Sequence, residues 1–516
     1  MTAKHAQLSL ADRKAAQARS GDHRWLVLVF VSIAQLMIVL DATVVNIALP
    51  SAQADLGFAN DQRQWIVTAY ALAFGSLLLL GGRVGDYIGR KRSFIAGLFA
   101  FAIASAIGGA APSFGVLVAS RAVQGVAGAL LAPAALGMLV TTFRDPRDRG
   151  KAFGVFGTVA VGGGAVGLIL GGVLTQYLSW RWTMYVNVVF ALVAAAGALI
   201  YMTHERSQTR HRIDVLGTLT ASAGLFGLVF GFSHAETAGW TSVVTLTSLI
   251  AAAVLLVSFV FVEARVAAAP LLPLRIVADR ARGTAFASVG IAGIAMFGVF
   301  LFLTYYLQQV KHFSPVSSGF AFLPMIACVM ISSNVSNIVT LPRFGPRIVI
   351  TIGMLLGTAA MANLTRLDVH SSYASGVLPS LIVMGFAMGM VMAPAMNTAT
   401  AGVQPADSGV AAALVSTMQQ VGGSVGTAVL STAAATVTTN FATAHASLGR
   451  TLGPIAATHG YTAVFVISSS LFALGAIMGV TMFPSRTRLE QMRAEAAAQV
   501  PASAPAAQES QPALAH

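Results

Sequence analysis

The sequence predicts an all-α polytopic membrane protein, and three observations carry that prediction. Of 516 residues, 56% are hydrophobic and only 9% are charged, against roughly 25% charged in an ordinary soluble domain. The apolar residues gather into runs of about 18 or more, the length at which a helix crosses a bilayer. Lysine and arginine fall in short loops between these runs, biased to alternate loops as the positive-inside rule requires.

Taken in order, the runs number fourteen. They lie at 25–49, 64–82, 93–111, 114–142, 152–178, 184–203, 215–233, 242–262, 284–307, 317–340, 348–366, 375–400, 409–436 and 461–483. Twenty-five of the 31 basic residues fall in the two tails and in the loops after the even-numbered runs. Only Arg63, Arg181, Lys311, Arg366 and Arg450 fall on the opposite side, and Arg121 sits inside the fourth run. Fourteen spans with both termini in the cytoplasm follow. The loop 402–408 carries no lysine or arginine, so the twelfth and thirteenth spans rest on hydropathy alone.

The polar segment 1–24 reads as a cytoplasmic N-terminal tail, without the apolar core or cleavage site of a signal peptide. Residues 484–516, rich in Ala, Pro, Gln and Ser, read as a disordered cytoplasmic tail. A single cysteine, Cys328, leaves no disulfide framework and no thiol metal site. The net charge of +13 belongs to the loops, so a nucleic-acid partner is excluded; the partners expected are the lipid bilayer, protons and small molecules.

Weak internal symmetry divides the chain. Gly81–Arg92, GGRVGDYIGRKR, follows the second span, and Leu341–Arg347, LPRFGPR, follows the tenth as a degraded copy. If the copies correspond, 25–203 is an N-terminal six-helix bundle and 284–483 a C-terminal one. The linker region 204–283 then contributes two additional transmembrane helices. Halves related this way are a transporter signature, with the substrate site at their interface near the midplane.

Of the eighteen acidic residues, Asp41 alone falls within a span. A carboxylate at a bilayer centre costs ~2.5–3.5 kcal/mol, which makes it a functional-site candidate. Asp41 lies eight residues before Leu49 and Arg121 seven after Phe114, which puts both ~10–12 Å below the outer boundary. They can meet if their helices are neighbours. Arg121, Gln124, Gly125 and Gly128 share one helix face. Burial disfavours a charged carboxylate and a nearby cation favours it, so such a group answers to small rearrangements. Asp41 and Arg121 are therefore the candidate proton-coupling pair. The plainer alternatives are a structural acid capping a neighbouring helix and an arginine that only anchors packing.

Gly82, Gly85 and Gly89 suit a tight turn between the second and third spans, and Asp86 beside Arg90, Lys91 and Arg92 can form ion pairs that break when the halves separate. We read this loop as a gate latch, against a basic topogenic loop with turn glycines. Gly163, Gly167 and Gly171 make a small-residue stripe in the fifth span, with Gly164 and Gly172 beside them, suited to close helix packing. Gln419, Gln420, Gly422, Gly423 and Gly426 are similar in the thirteenth. Asn46, Gln124, Tyr305, Tyr306 and Asn397 are candidate substrate contacts, with Met384, Met388, Met390 and Met392 as adaptable apolar surface. Each reads equally as a lipid-facing or packing residue. Within the spans there are no clustered nucleophiles, metal ligands or paired carboxylates, so an enzyme is not expected, nor a cofactor.

Together these segments resemble the major facilitator superfamily, specifically its fourteen-span drug:proton antiporter branch, from about Trp25 to Pro484. Leu40–Pro50, LDATVVNIALP, looks like the branch's first-span motif, whose aspartate is associated with coupling. Gly82, Asp86, Gly89, Arg90 and Lys91 match the superfamily loop motif, with Val84 for leucine and Tyr87 for a basic residue. Arg121, Gln124 and Gly125 match the fourth-span motif, whose arginine is linked to proton transfer, and Trp180–Asn187, WRWTMYVN, is typical of the branch. The fifth-span antiporter motif fits at Gly163, Gly167, Gly171 and Gly172, but Leu168 stands where proline is expected. The resemblance implies a major facilitator fold and proton-coupled efflux, by alternating access, of hydrophobic, cationic or amphipathic drugs. The protein is then a monomer in the plasma membrane, the inner membrane of a bacterium, driven by a proton gradient. A dedicated exporter of one metabolite, such as an antibiotic, siderophore or amino acid, is the alternative.

Overall fold

The structure, a computed structural model, describes residues 2–59, 62–143, 145–202, 214–267, 271–401, 403 and 408–484. All regular structure among them is helical. The N-terminal half comprises α1 (Thr2–Leu56), α2 (Gln64–Ile88), α3 (Arg90–Gly109), α4 (Phe114–Thr142), α5 (Pro146–Tyr177) and α6 (Trp182–Tyr201). An inserted pair follows, α7 (Val215–Ala238) and α8 (Val243–Arg265), then a short α9 (Leu274–Ala278). The C-terminal half comprises α10 (Arg280–Tyr305), α11 (Pro315–Ala321), α12 (Leu323–Val335), α13 (Leu341–Leu364), α14 (Leu378–Thr400), α15 (Ser408–Ala444) and α16 (Leu452–Met482).

Twelve helices among the described residues are long and apolar enough to cross a membrane. One of them, Pro315–Leu364, is 50 residues long, or ~75 Å of helix, against a hydrocarbon core of ~30 Å. Gly345, at φ 75° and ψ 168°, interrupts it just before Pro346. Only glycine enters that backbone region freely.

Several boundaries differ from the sequence reading. Residues expected as a polar tail are helical from Thr2, because Ala, Lys, Arg, Gln and Leu all favour helix. Gly89, at φ 97°, is at once the end of α2 and the start of α3. Arg90–Arg92 therefore form the first turn of a helix rather than a loop. The tail 485–516 lies outside the described residues.

In the N-terminal half α2 and α3 pack on α4, and α1 on α5 and α6; in the C-terminal half α14 and α15 flank α10, and α13 packs on α14 and α16. Buried apolar side chains fall into two cores. One, including Phe74, Phe94, Phe101, Leu131 and Met138, belongs to the N-terminal half alone. The other runs through the C-terminal half and continues into Ile47, Leu49, Ile66, Leu117 and Trp180 of the N-terminal half. Those residues lie at the end away from Gly82–Arg92, called here the outer end. The halves thus share a core at their outer end.

Helix α7 leans on α2 and on α15, one from each half, and α8 packs on α7. Val243, Ile250 and Val257 of α8 are 76%, 63% and 70% exposed, an outward apolar face suited to lipid.

A candidate coupling site beside the seam

Asp41 and Arg121 meet. Their helices α1 and α4 are neighbours, both side chains are almost wholly buried, and Arg121 Nη1 lies 2.6 Å from Asp41 Oδ2. Gln124, one turn along α4, donates through Nε2 to Asp41 Oδ1 at 3.2 Å and to Ser105 Oγ of α3 at 2.7 Å. From α6, Asn187 Nδ2 donates to Asp41 Oδ1 at 2.8 Å. Three helices thus meet at one carboxylate, a fourth holds Gln124 through Ser105, and every partner named is buried.

Arg121 has acceptors besides the carboxylate. Its Nη1 also reaches Gln124 Oε1 at 2.8 Å, and its Nε donates to the Ile66 carbonyl of α2 at 3.1 Å. Its guanidinium carbon sits 4.5 Å from the Tyr70 ring centroid. Besides its charged partner, Arg121 therefore has two neutral acceptors and an aromatic face.

Glycine makes the close approach possible. A Cβ on Gly125 would collide with the Tyr70 carbonyl and come within 2.8 Å of Ala73 Cβ, so α2 rides directly on α4 and carries Tyr70 to Arg121. Beside the guanidinium runs a narrow cleft lined by Ala42, Val45, Val67, Tyr70, Ala71, Arg121 and Gln420. Gln420 belongs to α15, so the cleft lies on the seam between the halves.

The other expected site residues fall into separate groups. Gly163, Gly167 and Gly171 face α1, where a Cβ would press on Leu36, Thr43 and Val44. Gly172 faces the other half, 2.8 Å from the Pro315 carbonyl and Val316 Cα by the same measure. Helix α5 passes unbroken through Leu168, which is fully buried.

The basic residues of the turn reach backbone carbonyls of neighbouring helices. Arg90 Nη1 donates to the Gly137 carbonyl of α4 at 2.9 Å, and Lys91 Nζ to the Leu199 and Met202 carbonyls at 3.1 and 2.5 Å. These bonds stay within the N-terminal half, where cations favour the negative C-terminal end of α6. Of the motif glycines Gly82 and Gly89, only Gly89 requires a positive φ. The Asp86 side chain lies outside the described residues.

Nor do the five substrate candidates gather. Gln124 is committed to the Asp41 network. Asn46 bonds the Ala42 carbonyl of its own helix, Tyr306 donates to the Asp368 carbonyl, and Asn397 pairs with Asn337. Tyr305 lies under Arg63 at the outer end. Asn187 and Ser105 were not singled out from sequence; the signal for Asn187 was an amide in an otherwise apolar helix. Glu263 is buried near the end of α8, where it accepts the Leu271 and Leu272 amides at 3.1 Å each.

Two helical bundles that share a core at their outer end, with a buried ion pair beside the seam, define a class, the two-bundle membrane transporters. The chain belongs to the Major Facilitator Superfamily, whose sequence model matches residues 31–427. It is therefore a multi-pass membrane transporter and not an enzyme. The puromycin resistance protein pur8 of Streptomyces alboniger is 46% identical over 90% of this chain and 92% of its own. The cephamycin export protein CmcT of Amycolatopsis lactamdurans is 38% identical over 78% and 84%. The crystal structure of the POT family transporter PepTSo shares the fold, at TM-score 0.65 and 13% identity, covering 89% of this chain and 98% of that one.

Proposed function

We propose that this protein exports small hydrophobic drugs, cationic or amphipathic, across the inner membrane in exchange for protons, with Asp41 as the proton carrier and Arg121 as its partner. The carrying observation is the wholly buried Asp41–Arg121 pair, 2.6 Å long and flanking a cleft on the seam. Antibiotic resistance and export in the relatives' names supports the cargo class. When Asp41 takes a proton, Arg121 falls back on Gln124, Ile66 and Tyr70, α1 and α4 loosen at this level, and the cleft is free to change shape. Exchange of proton for cargo follows if cargo enters that cleft when Asp41 is charged.

The topology belongs to the same reading. Counting Pro315–Leu364 as two crossings and α2 as one brings the twelve candidate spans to fourteen, with both termini cytoplasmic, and the protein works as a monomer. Gly163, Gly167 and Gly171 act as the packing surface of α5, and the Gly82–Lys91 turn braces the N-terminal half. The substrate contacts we favour are those of the seam cleft.

Asp41→Asn tests the coupling. In proteoliposomes with an imposed proton gradient, the variant should lose uphill dye transport while still equilibrating dye down its own gradient. Uphill transport by Asp41→Asn would sink the proposal. A dedicated exporter of a single antibiotic is the second reading, favoured by relatives named for puromycin and cephamycin; a panel of dyes and antibiotics in the same assay separates the two.

A further inference from the structure

We propose that Arg63 is a tethered cation that closes the outer end of the transport path by occupying the ring face of Tyr305, so that re-closure and a cationic cargo compete for one aromatic surface. Arg63 stands at the N-terminal boundary of α2, and Tyr305 is the last residue of α10 in the opposite half. The guanidinium carbon lies 4.5 Å from the ring centroid, well within cation–π range. With the Gln309 amide turned so that its oxygen faces the cation, Arg63 Nη2 and Nη1 donate to that oxygen at 2.9 and 3.3 Å. The Tyr461 hydroxyl of α16 lies 3.3 Å from the same amide.

Local backbone geometry prepares this contact. Residues Tyr306–Val310 form a π-helical turn at the end of α10, a feature that recurs at functional sites. Its wider ring brings two consecutive glutamines to the seam. Gln308 Nε2 donates to the Ile47 carbonyl of α1 at 3.3 Å, while Gln309 turns to Arg63. Nearby, the Val316 amide donates to Gln176 at 3.3 Å. These contacts all cross between the halves at the outer end, where the shared core also lies.

The chemistry suits a closure that opens on each cycle. An aromatic face and an amide hold a cation more weakly than a buried carboxylate does. Arg63 Nε is itself buried without an acceptor among the described residues, so the closed state leaves one donor unsatisfied and is poised to release. When Arg63 withdraws, the face of Tyr305 is bare and fits a flat or quaternary cation. When Arg63 returns, that cation is displaced outward. The cargo part of this inference rests on the efflux reading above; the closure part does not.

Two measurements test it in a Cys328→Ala background. Spin labels at Leu178→Cys and His370→Cys, both exposed and in opposite halves at the outer end, report the outer separation by double electron–electron resonance. Arg63→Ala and Tyr305→Leu should each shift the distribution to longer distances, the double variant no further than either alone, and Arg63→Lys should keep the short population. Ethidium added from the outer side should bind Arg63→Ala more tightly than the unsubstituted protein, and lose that gain when Tyr305→Leu is added. Unchanged distances in Arg63→Ala, or an ethidium gain that survives Tyr305→Leu, would overturn the proposal. Absence of proton-driven dye export would count against the efflux reading while leaving the distance result to stand.

Discussion

The two oxygens of Asp41 are unequally served: Oδ1 accepts from Asn187 and Gln124, Oδ2 from Arg121 alone. Arg121 is thus the sole donor to Oδ2, and in the proposed exchange it is the partner that yields. Removing a single partner of a buried ion pair costs about 3–5 kcal/mol, whereas neutralising both together is often harmless. Asp41→Asn and Arg121→Gln should therefore each lower the thermal midpoint in detergent, and the double variant should recover most of the loss without recovering uphill transport. A double variant less stable than either single one would contradict the pairing. At this scale the sequence was informative about depth, since counting residues from the span ends put Asp41 and Arg121 level. It was uninformative about Ser105, because a serine in an apolar helix carries no sign of which way it faces, and it showed Asn187 only as the amide closing the WRWTMYVN segment.

Helices α1, α5 and α11 are held by contacts that only glycine allows. At Gly171 a Cβ would stand 3.0 Å from the Val44 Cα, within one half, whereas at the next residue, Gly172, it would press on α11 across the seam. Overpacking a tight interface typically costs about 1–3 kcal/mol. Gly171→Leu should accordingly lower stability in a thermal unfolding assay. Gly172→Leu should instead leave the N-terminal half intact and lengthen the outer distance measured between labels at 178 and 370. Equal stability losses with no change in that distance would show that the two glycines do not divide their roles. The stripe was legible from its i, i+4, i+8 spacing, and so was the helical nature of nearly every apolar run. Its two-sided use was not, because spacing fixes a face but not the neighbour. The long Pro315–Leu364 stretch shows the same limit: hydropathy separated its two runs, while the break between them depends on one glycine at positive φ.

For the whole molecule, charge alternation and a repeated turn led to the expectation of two bundles and an insertion, because topology leaves its record in loop composition. Where the insertion would rest left no such record. The structure sets α7 against α2 and α15 together and gives α8 an outward face of valine and isoleucine. A lateral load on α8 would pass to α7, which touches both halves. The pair is thereby placed where it would act as a lever between bilayer mechanics and the transport cycle, and lipid thickness is the variable that tests it. Proteoliposomes made with monounsaturated lipids of 14, 18 and 22 carbons should give export rates with a maximum at one thickness, and a flat profile would show that the lever carries no load. In a cell, a compound that thins or stiffens its target's membrane would then alter the rate of its own expulsion before any molecule of it reached the cleft.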